Sequence, residues 1–363
     1  MNATLGIMSL TPETISSYYQ GIGEKSIEYN IDLYLFSPHD ISPTNEIVEG
    51  YYFDKEKVEW CKEAFEIPEF IYDRTFYTKD FTSKQAKAIV QWLKNKPEVA
   101  FLGYGLPDKW RQYQTLKGSP LSSYIVATEL VESGEQLLEV LVKEKDLIMK
   151  PIDGAHGFAV YHLSITTDGI VVRTTKKSNV IHRPFKYKSA FIQWVDQLIK
   201  NHTFIVQKRL TNLTNNGRPF DLRVLLQKDQ NGNWHTVERG IRLGAKDGIL
   251  TNISAGSTVI TVNKWKKELS HFQWDYIETE LDEILELMPS LLEKEFAPLF
   301  EIGVDFIISE DNSLWILDMN SKPGRKLVQS LSPHKLDALY HAPLKYCEHL
   351  FTTRYSTIDR GDF

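Results

Sequence analysis

The sequence predicts an α/β layer over its first third and α+β units beyond it, on three observations. Apolar runs and helix-period segments alternate in β-α-β order through residues 1–106. Gly103-Tyr-Gly105-Leu-Pro107 breaks that alternation and reads as a domain junction. Past the junction, hairpin signals at the Lys150 loop and at Glu310-Asp-Asn-Ser stand among further helical segments, an α+β pattern.

Within the first layer, residues 4–10 read as a strand, Glu13 to Tyr29 as a helix and Ile31 to Phe36 as a second strand. Cys61 falls in a helix-like stretch, Glu56 to Phe65. Phe70 to Arg74, Ser83 to Lys94 and Val99 to Leu102 continue as strand, helix and strand. Asp108 is placed to N-cap a helix ending near Gly118-Ser-Pro120, and Ser133-Gly-Glu-Gln136 has capping-box spacing for a helix to Lys145. Gly169 to Arg173 carries further β signal. Ala190 to Lys200 places Phe191, Trp194, Val195 and Leu198 on one helical face. Thr203 to Gln207, Asp221 to Gln227 and Trp234 to Leu243 read as strands, and Trp274 to Glu295 as a helix. The basic run from Lys264 to Lys267 reads as a solvated face.

Composition narrows the function classes. A chain of 363 residues has room for two or three cores, and 42% hydrophobic with 25% charged residues is ordinary for a soluble protein. A net charge of −6 and a pI near 6.0 argue against nucleic-acid binding as the main activity. No 18-residue apolar run exists to span a membrane, and the N-terminus lacks a secretion pattern. The only cysteines, Cys61 and Cys347, lie far apart without metal spacing, which fits a reducing cytoplasm and no catalytic thiol.

Two motifs carry chemistry. Glu301-Ile-Gly-Val-Asp305-Phe-Ile-Ile and Leu314-Trp-Ile-Leu-Asp318-Met-Asn320 are apolar runs that each hold an acid, with Glu310-Asp-Asn-Ser between them as a hairpin turn. Side chains alternate faces along a strand, so Asp318 and Asn320 share one and Met319 takes the other. If Asp305 projects from the neighbouring strand onto that face, three hard oxygen donors converge, a set suited to Mg²⁺. The competing reading is a carboxylate that caps a turn or pairs with Lys326. Upstream, Leu147-Ile-Met-Lys150-Pro151 ends a short strand in a lysine, and a loop holding Gly154 and Gly157 follows. Glycines let backbone N–H groups approach phosphate oxygens, and the lysine supplies a point charge. A plain β-hairpin with a partly buried lysine is the alternative. Neither a P-loop nor a dinucleotide-binding glycine pattern is present.

In this order the two motifs resemble the ATP-grasp superfamily. Asn216-Gly-Arg218-Pro-Phe-Asp221-Leu-Arg223-Val-Leu-Leu-Gln, Thr251-Asn252-Ile-Ser-Ala-Gly256, Asp108-Lys109-Trp110 and Met319-Asn320-Ser-Lys-Pro-Gly-Arg325 sharpen the resemblance to the endospore coat-associated YheC/YheD family of Bacillus-type bacteria. It runs from about Thr4 to about Leu350, and the length is closest to the YheC members. The resemblance implies an ATP-grasp fold. Its parts are an N-terminal α/β domain (1–106), a central lid subdomain (107–205), a C-terminal subdomain with the metal site (206–350) and a tail (351–363).

It also implies roles for single residues. Lys150 with the Gly154 and Gly157 loop would cover the triphosphate, and Lys109 would be the second phosphate lysine. Gln207, Lys208 and Leu210 lie at the hinge that meets adenine, with Gln207 where an acid commonly stands. Leu317 would pack the adenine face or the core. Asp305, Asp318 and Asn320 would hold Mg²⁺, or Mn²⁺ in its place, with Asp318 where the family often has Glu. Arg242 would contact phosphate and an acyl-phosphate intermediate, and Asn252 would orient the acceptor or cap a turn. His156 reads as a loop contact. Arg223 pairs with Asp221 or Glu238 or meets an anion, and Arg325 clamps a substrate carboxylate or lies exposed.

The implied function is an ATP- and Mg²⁺-dependent carboxylate–amine ligase acting through an acyl phosphate, in the mother-cell cytoplasm and associated with the endospore coat. Its partners would be ATP, a carboxylate and a nucleophile such as an amino acid or peptide, and other spore coat proteins, with no nucleic acid and no membrane. The alternatives are a non-catalytic ATP-binding coat component and an ATP-dependent kinase.

Overall fold

Three sheets organise the computed structural model, which describes residues 2–78, 80–154, 159–176, 179–210, 212–214, 216–244, 258–268 and 273–358. In the first, β1 (Ala3–Met8), β2 (Ile31–Phe36), β5 (Phe70–Asp73) and β6 (Ala100–Phe101) run parallel in the order β2-β1-β5-β6. The hairpin of β3 (Ile47–Asp54) and β4 (Glu59–Glu66) extends this sheet antiparallel beyond β2. Helices α1 (Ser17–Ser26) and α2 (Phe81–Lys94) belong to this unit. The first helix starts later than Glu13 because the Ser16 hydroxyl accepts a hydrogen bond from the Tyr19 amide and caps it there.

One expected helix is absent. Glu56 to Phe65 turns at Val58, whose φ is +57°, and then forms β4. Glu, Lys and Ala favour helix locally, but pairing along the whole of β3 overrides that preference.

The helix α3 (Lys109–Lys117) follows the junction at Gly103–Pro107. The second sheet then comprises β7 (Thr128–Leu130), β8 (Asp146–Pro151), β9 (Tyr161–Thr166), β10 (Gly169–Lys176), β11 (Asn179–Phe185) and β12 (Phe204–Lys208). All its pairings are antiparallel, in the order β11-β10-β9-β8-β12-β7. Helices α4 (Gly134–Glu144) and α5 (Lys188–Ile199) cover one face, where Leu137, Leu147, Met149, Phe191 and Phe204 form a core. Leu147 and Met149 point to the helices, so Ile148 and Lys150 point the other way.

The third sheet has the order β15-β14-β13-β16-β17, again antiparallel: β13 (Phe220–Lys228), β14 (Trp234–Leu243), β15 (Thr258–Thr261), β16 (Glu301–Ile308) and β17 (Leu314–Asn320). Beside α6 (Val262–Glu268), the long α7 (Trp274–Glu295) buries Ile277, Leu281, Ile284, Met288 and Leu292 against Val224, Val304 and Phe306. Each such side chain contributes roughly 1.5–3 kcal/mol of burial.

Two segments pack away from their expected units. Leu116 and Leu121 join the core of the third sheet, and Ile125 bridges to Ile316, so residues 107–125 sit with that sheet rather than with the second. After α8 (Lys326–Leu331), α9 (Leu336–Ile358) returns to the first sheet, where Leu344 and Cys347 pack with Leu5 and Ile22. The helix therefore runs through residue 351, where a tail is expected. Among the described residues, no helix is long and apolar enough to cross a membrane.

Candidate functional site

The β16–β17 hairpin sets the floor of the site. Its register places Asp305 directly opposite Asp318, and Gly303 opposite Asn320. Between Asp318 and Ile316 the register shifts, which leaves Leu317 out of the ladder as a bulge. The freed Leu317 carbonyl accepts a hydrogen bond from Lys150 Nζ at 3.0 Å, while the Leu317 side chain is half-buried. Among the described residues no group of three or more His, Cys, Asp or Glu side chains is placed to hold a metal ion; Asp305 and Asp318 stand opposite each other with Asn320 two residues on.

Lys150 arrives from the opposite side, on the open face of the second sheet. Its side chain is 8% exposed and bonds to a carbonyl. Burial pulls its ammonium down to about 8; Asp318 and Asp305 oppose the shift and the nearby Lys109 charge reinforces it. Lys109 opens α3. Asp108 caps that helix through the Arg111 amide at 3.0 Å, and the Lys109 amide donates to the Ile152 carbonyl at 3.1 Å. The Lys109 side chain forms an ion pair with Asp318.

The arginines form the third wall. Asp221 and Arg223 share one face of β13, and the register sets Asp221 opposite Arg242 and Arg223 opposite Asp305. Arg242 grips Asp221 through Nε at 2.7 Å and Nη2 at 2.6 Å, and reaches Asp305 at 3.0 Å. Arg223 bonds the other Asp305 oxygen at 2.5 Å. Burial pushes the Asp305 carboxyl up, yet Arg223 and Arg242 together hold it below its ordinary range. Arg242 in turn is held above its ordinary value, with Asp305 and Asp221 outweighing burial.

Neither sequence-expected partner of Arg223 is its partner here, because Asp221 is taken by Arg242 and Glu238 pairs with Lys335 at 3.2 Å. Gly303 makes the arrangement possible: a Cβ there would overlap the Arg223 guanidinium and crowd Pro323. Asp221, Arg223 and Gly303 were legible only as charges and a glycine at alternate positions of apolar strands.

At the hinge, Gln207 lies opposite Ile148, on the face that carries Lys150, and donates to Thr128 Oγ1 at 2.7 Å. Lys208 alternates to the other face, where its exposed side chain reaches Glu144 at 3.8 Å. Leu210 is half-buried. On the same open face, His162 is buried between Asp146 and Arg173, and Asp146 also holds Arg209 at 3.2 Å. The sequence offered no signal for that chain beyond a histidine inside a strand. Gly154 is exposed with φ +142°, a conformation that favours glycine. Gly157, His156 and Asn252 lie outside the described residues.

At the far end of β16, Glu301 is 2% exposed and bonds Arg74 at 2.5 Å, Tyr72 at 3.0 Å and Arg325. Arg325 also donates to Tyr72 at 2.7 Å and lies over the Tyr18 ring at 4.8 Å. It is therefore buried rather than exposed, and its Nε and Nη1 have no hydrogen-bond partner among the described residues. It ties the loop after β17 to the first sheet.

Comparison with known proteins supplies the context for this geometry. Residues 98–350 match the family described as YheC/D like ATP-grasp. The chain is 35% identical over 350 residues to the endospore coat-associated protein YheC of Bacillus subtilis (strain 168), covering 96% of each. It is 24% identical over 317 residues to the endospore coat-associated protein YheD of the same organism, covering 84% of this chain and 67% of that one. Among solved structures it is similar to the D-cycloserine synthetase DcsG, with a TM-score of 0.54 at 11% identity over 96% of this chain and 98% of that one. It is also similar to a Chryseobacterium gregarium RiPP-associated ATP-grasp ligase in complex with ADP and a leader and core peptide, with a TM-score of 0.53 at 13% identity over 98% and 97%. The D-alanine-D-alanine ligase from Coxiella burnetii gives 0.52 at 11% over 99% of both chains. At these identities the structures share the fold.

Proposed function

The chain belongs to the YheC/D like ATP-grasp family, and on that premise we propose that it is an ATP- and Mg²⁺-dependent carboxylate–amine ligase working through an acyl phosphate. The observation that carries the reading is Lys150. A buried ammonium bonded to a carbonyl and facing two carboxylates across a cleft is poorly compensated, and phosphate oxygens would compensate it.

In this reading the three sheets are three domains, and ATP lies between the second and third. The Gly154 loop covers the triphosphate, the backbone from Gln207 to Leu210 meets adenine, and Leu317 forms one wall. Lys109 and Lys150 hold phosphates, and Arg242 stabilises charge on the transferred phosphoryl group. Asp305, Asp318 and Asn320 fit Mg²⁺ in donor chemistry, and they would hold it. When bound, the ion neutralises phosphate charge and orients the terminal phosphoryl group. Asn252 orients the acceptor. The names of the relatives support a setting at the endospore coat, made in the mother-cell cytoplasm, and those of the structural neighbours support an amino acid or peptide as substrate.

Hydroxylamine trapping tests the proposal. With Mg-ATP and a panel of amino acids and peptides, the correct carboxylate should yield ADP and a hydroxamate, and the cognate amine should suppress the hydroxamate in favour of an amide. A phosphorylated product stable to hydroxylamine would sink the ligase reading and leave a kinase in its place.

A further inference from the structure

We infer that Lys109 gates the metal site: paired with Asp318 in the nucleotide-free protein, it keeps a bare divalent cation out until phosphate oxygens draw it away. The inference rests on the nucleotide and metal reading above and adds an order of events to it. Among the described residues, the side-chain cations Lys109, Lys150, Arg223 and Arg242 lie about the carboxylates Asp221, Asp305 and Asp318. A divalent ion entering alone meets these cations, both Asp305 oxygens already paired with arginines and one Asp318 oxygen already held by Lys109. In a cleft of low effective dielectric, that repulsion is not screened away.

The cations differ in their freedom to leave. Arg223 is wedged in the slot above Gly303, and Arg242 is anchored by two bonds to Asp221. Lys109 has neither constraint. It is the one side-chain cation bonded to Asp318 among the described residues, and both members of the pair retain some exposure, 14% and 25%. Its position is also tied to the loop expected over the phosphates, because its amide donates to the Ile152 carbonyl just ahead of Gly154. A phosphate oxygen reaching Lys109 would release Asp318. Metal and nucleotide would thus enter as one unit, each raising the affinity for the other, as linkage demands.

The test is a titration of the full chain with Mn²⁺, free metal being read by electron paramagnetic resonance, with and without a non-hydrolysable ATP analogue. Wild type should bind Mn²⁺ at least about tenfold more tightly with the analogue than without it. Lys109→Met should gain about tenfold in nucleotide-free Mn²⁺ affinity, Lys109→Arg should behave as wild type, and adding Asp318→Asn to Lys109→Met should abolish the gain. Melting curves accompany each variant, and Lys109→Gln provides the same readout should Lys109→Met fail to fold. Wild type binding Mn²⁺ equally well with and without the analogue would overturn the gate while leaving the metal site standing. So would neutral substitution of Lys109 leaving nucleotide-free affinity unchanged. Absence of Mn²⁺ binding even with the analogue would overturn the metal reading itself, and the gate with it.

Discussion

Glu301 and Asp305 stand on the same face of one strand, four residues apart, and their surroundings are opposite in kind. At Glu301 the carboxylate meets Arg74, Arg325, Tyr72 and Gln227, all from within the fold, and is sealed from water. At Asp305 the acids are also paired, but across the cleft Lys150 is buried with a carbonyl as its bonded partner. The first end joins the N-terminal and C-terminal units. The second carries a cation that the protein does not fully compensate. Around Glu301 each carboxylate oxygen meets an arginine, although Nε and Nη1 of Arg325 stay buried without a hydrogen-bond partner, whereas the Lys150 ammonium is bonded to a carbonyl and, among the described residues, to no carboxylate.

The largest expected effect lies at the Glu301 end. Glu301→Gln leaves Arg74 and Arg325 buried without their counter-ion and should cost roughly 3–5 kcal/mol, lowering the melting temperature by about 10 °C. Denaturant titration measures the loss. A change below about 1 kcal/mol would mean that the node is not what joins the two units.

The next concerns pH at the Lys150 end. Burial holds Lys150 near 8 in the folded chain against an ordinary 10.5, so between those values the unfolded chain binds more protons than the folded one. Stability should therefore rise with pH across that window, by roughly 2–3 kcal/mol relative to Lys150→Met, whose curve lacks this contribution. A wild-type curve parallel to that of the variant would show that the ammonium is compensated after all.

Gly303→Ala sharpens the contrast without altering any charge. The methyl group overlaps the Arg223 guanidinium and should cost about 2 kcal/mol of stability while turning Asp305 out of line and weakening Mg²⁺-dependent nucleotide binding. Retention of that binding would show that Asp305 needs no support from Arg223. The smallest effect is Asp108→Ala, which removes the cap of α3 and should cost about 1 kcal/mol, with a modest loss of nucleotide affinity through Lys109.

What could be read in advance follows the reach of local pattern. Alternation along a strand put Asp318 and Asn320 on one face and the turn at Glu310 to Ser313 marked the hairpin, whereas Asp305 joins them through the register that the structure gives. Helical periodicity likewise gave α7 its bounds, because its buried residues recur at the period of a packed helix. Partners across long separations were not legible. Alternation says that Arg223 faces the same way as Asp221, but only the neighbouring strand says that it pairs with Asp305. The carbonyl that receives Lys150 exists because of a bulge, and no local propensity marks Leu317 as the extra residue. The edge strand β4 and the placement of residues 107–125 were decided by tertiary pairing and packing against local preference.

The central claim is that Lys150 is the cation left for the nucleotide. Its most direct test is equilibrium binding of Mg-ATP by calorimetry to wild type and Lys150→Met, with the nucleotide-free melting temperature of each measured alongside. Wild type should bind and be stabilised by about 2.7 kcal/mol at a hundredfold excess over Kd. The variant should melt at or above the wild-type temperature without nucleotide, having lost a poorly compensated buried charge, and should show no binding. Undiminished binding to a folded Lys150→Met variant would contradict the account.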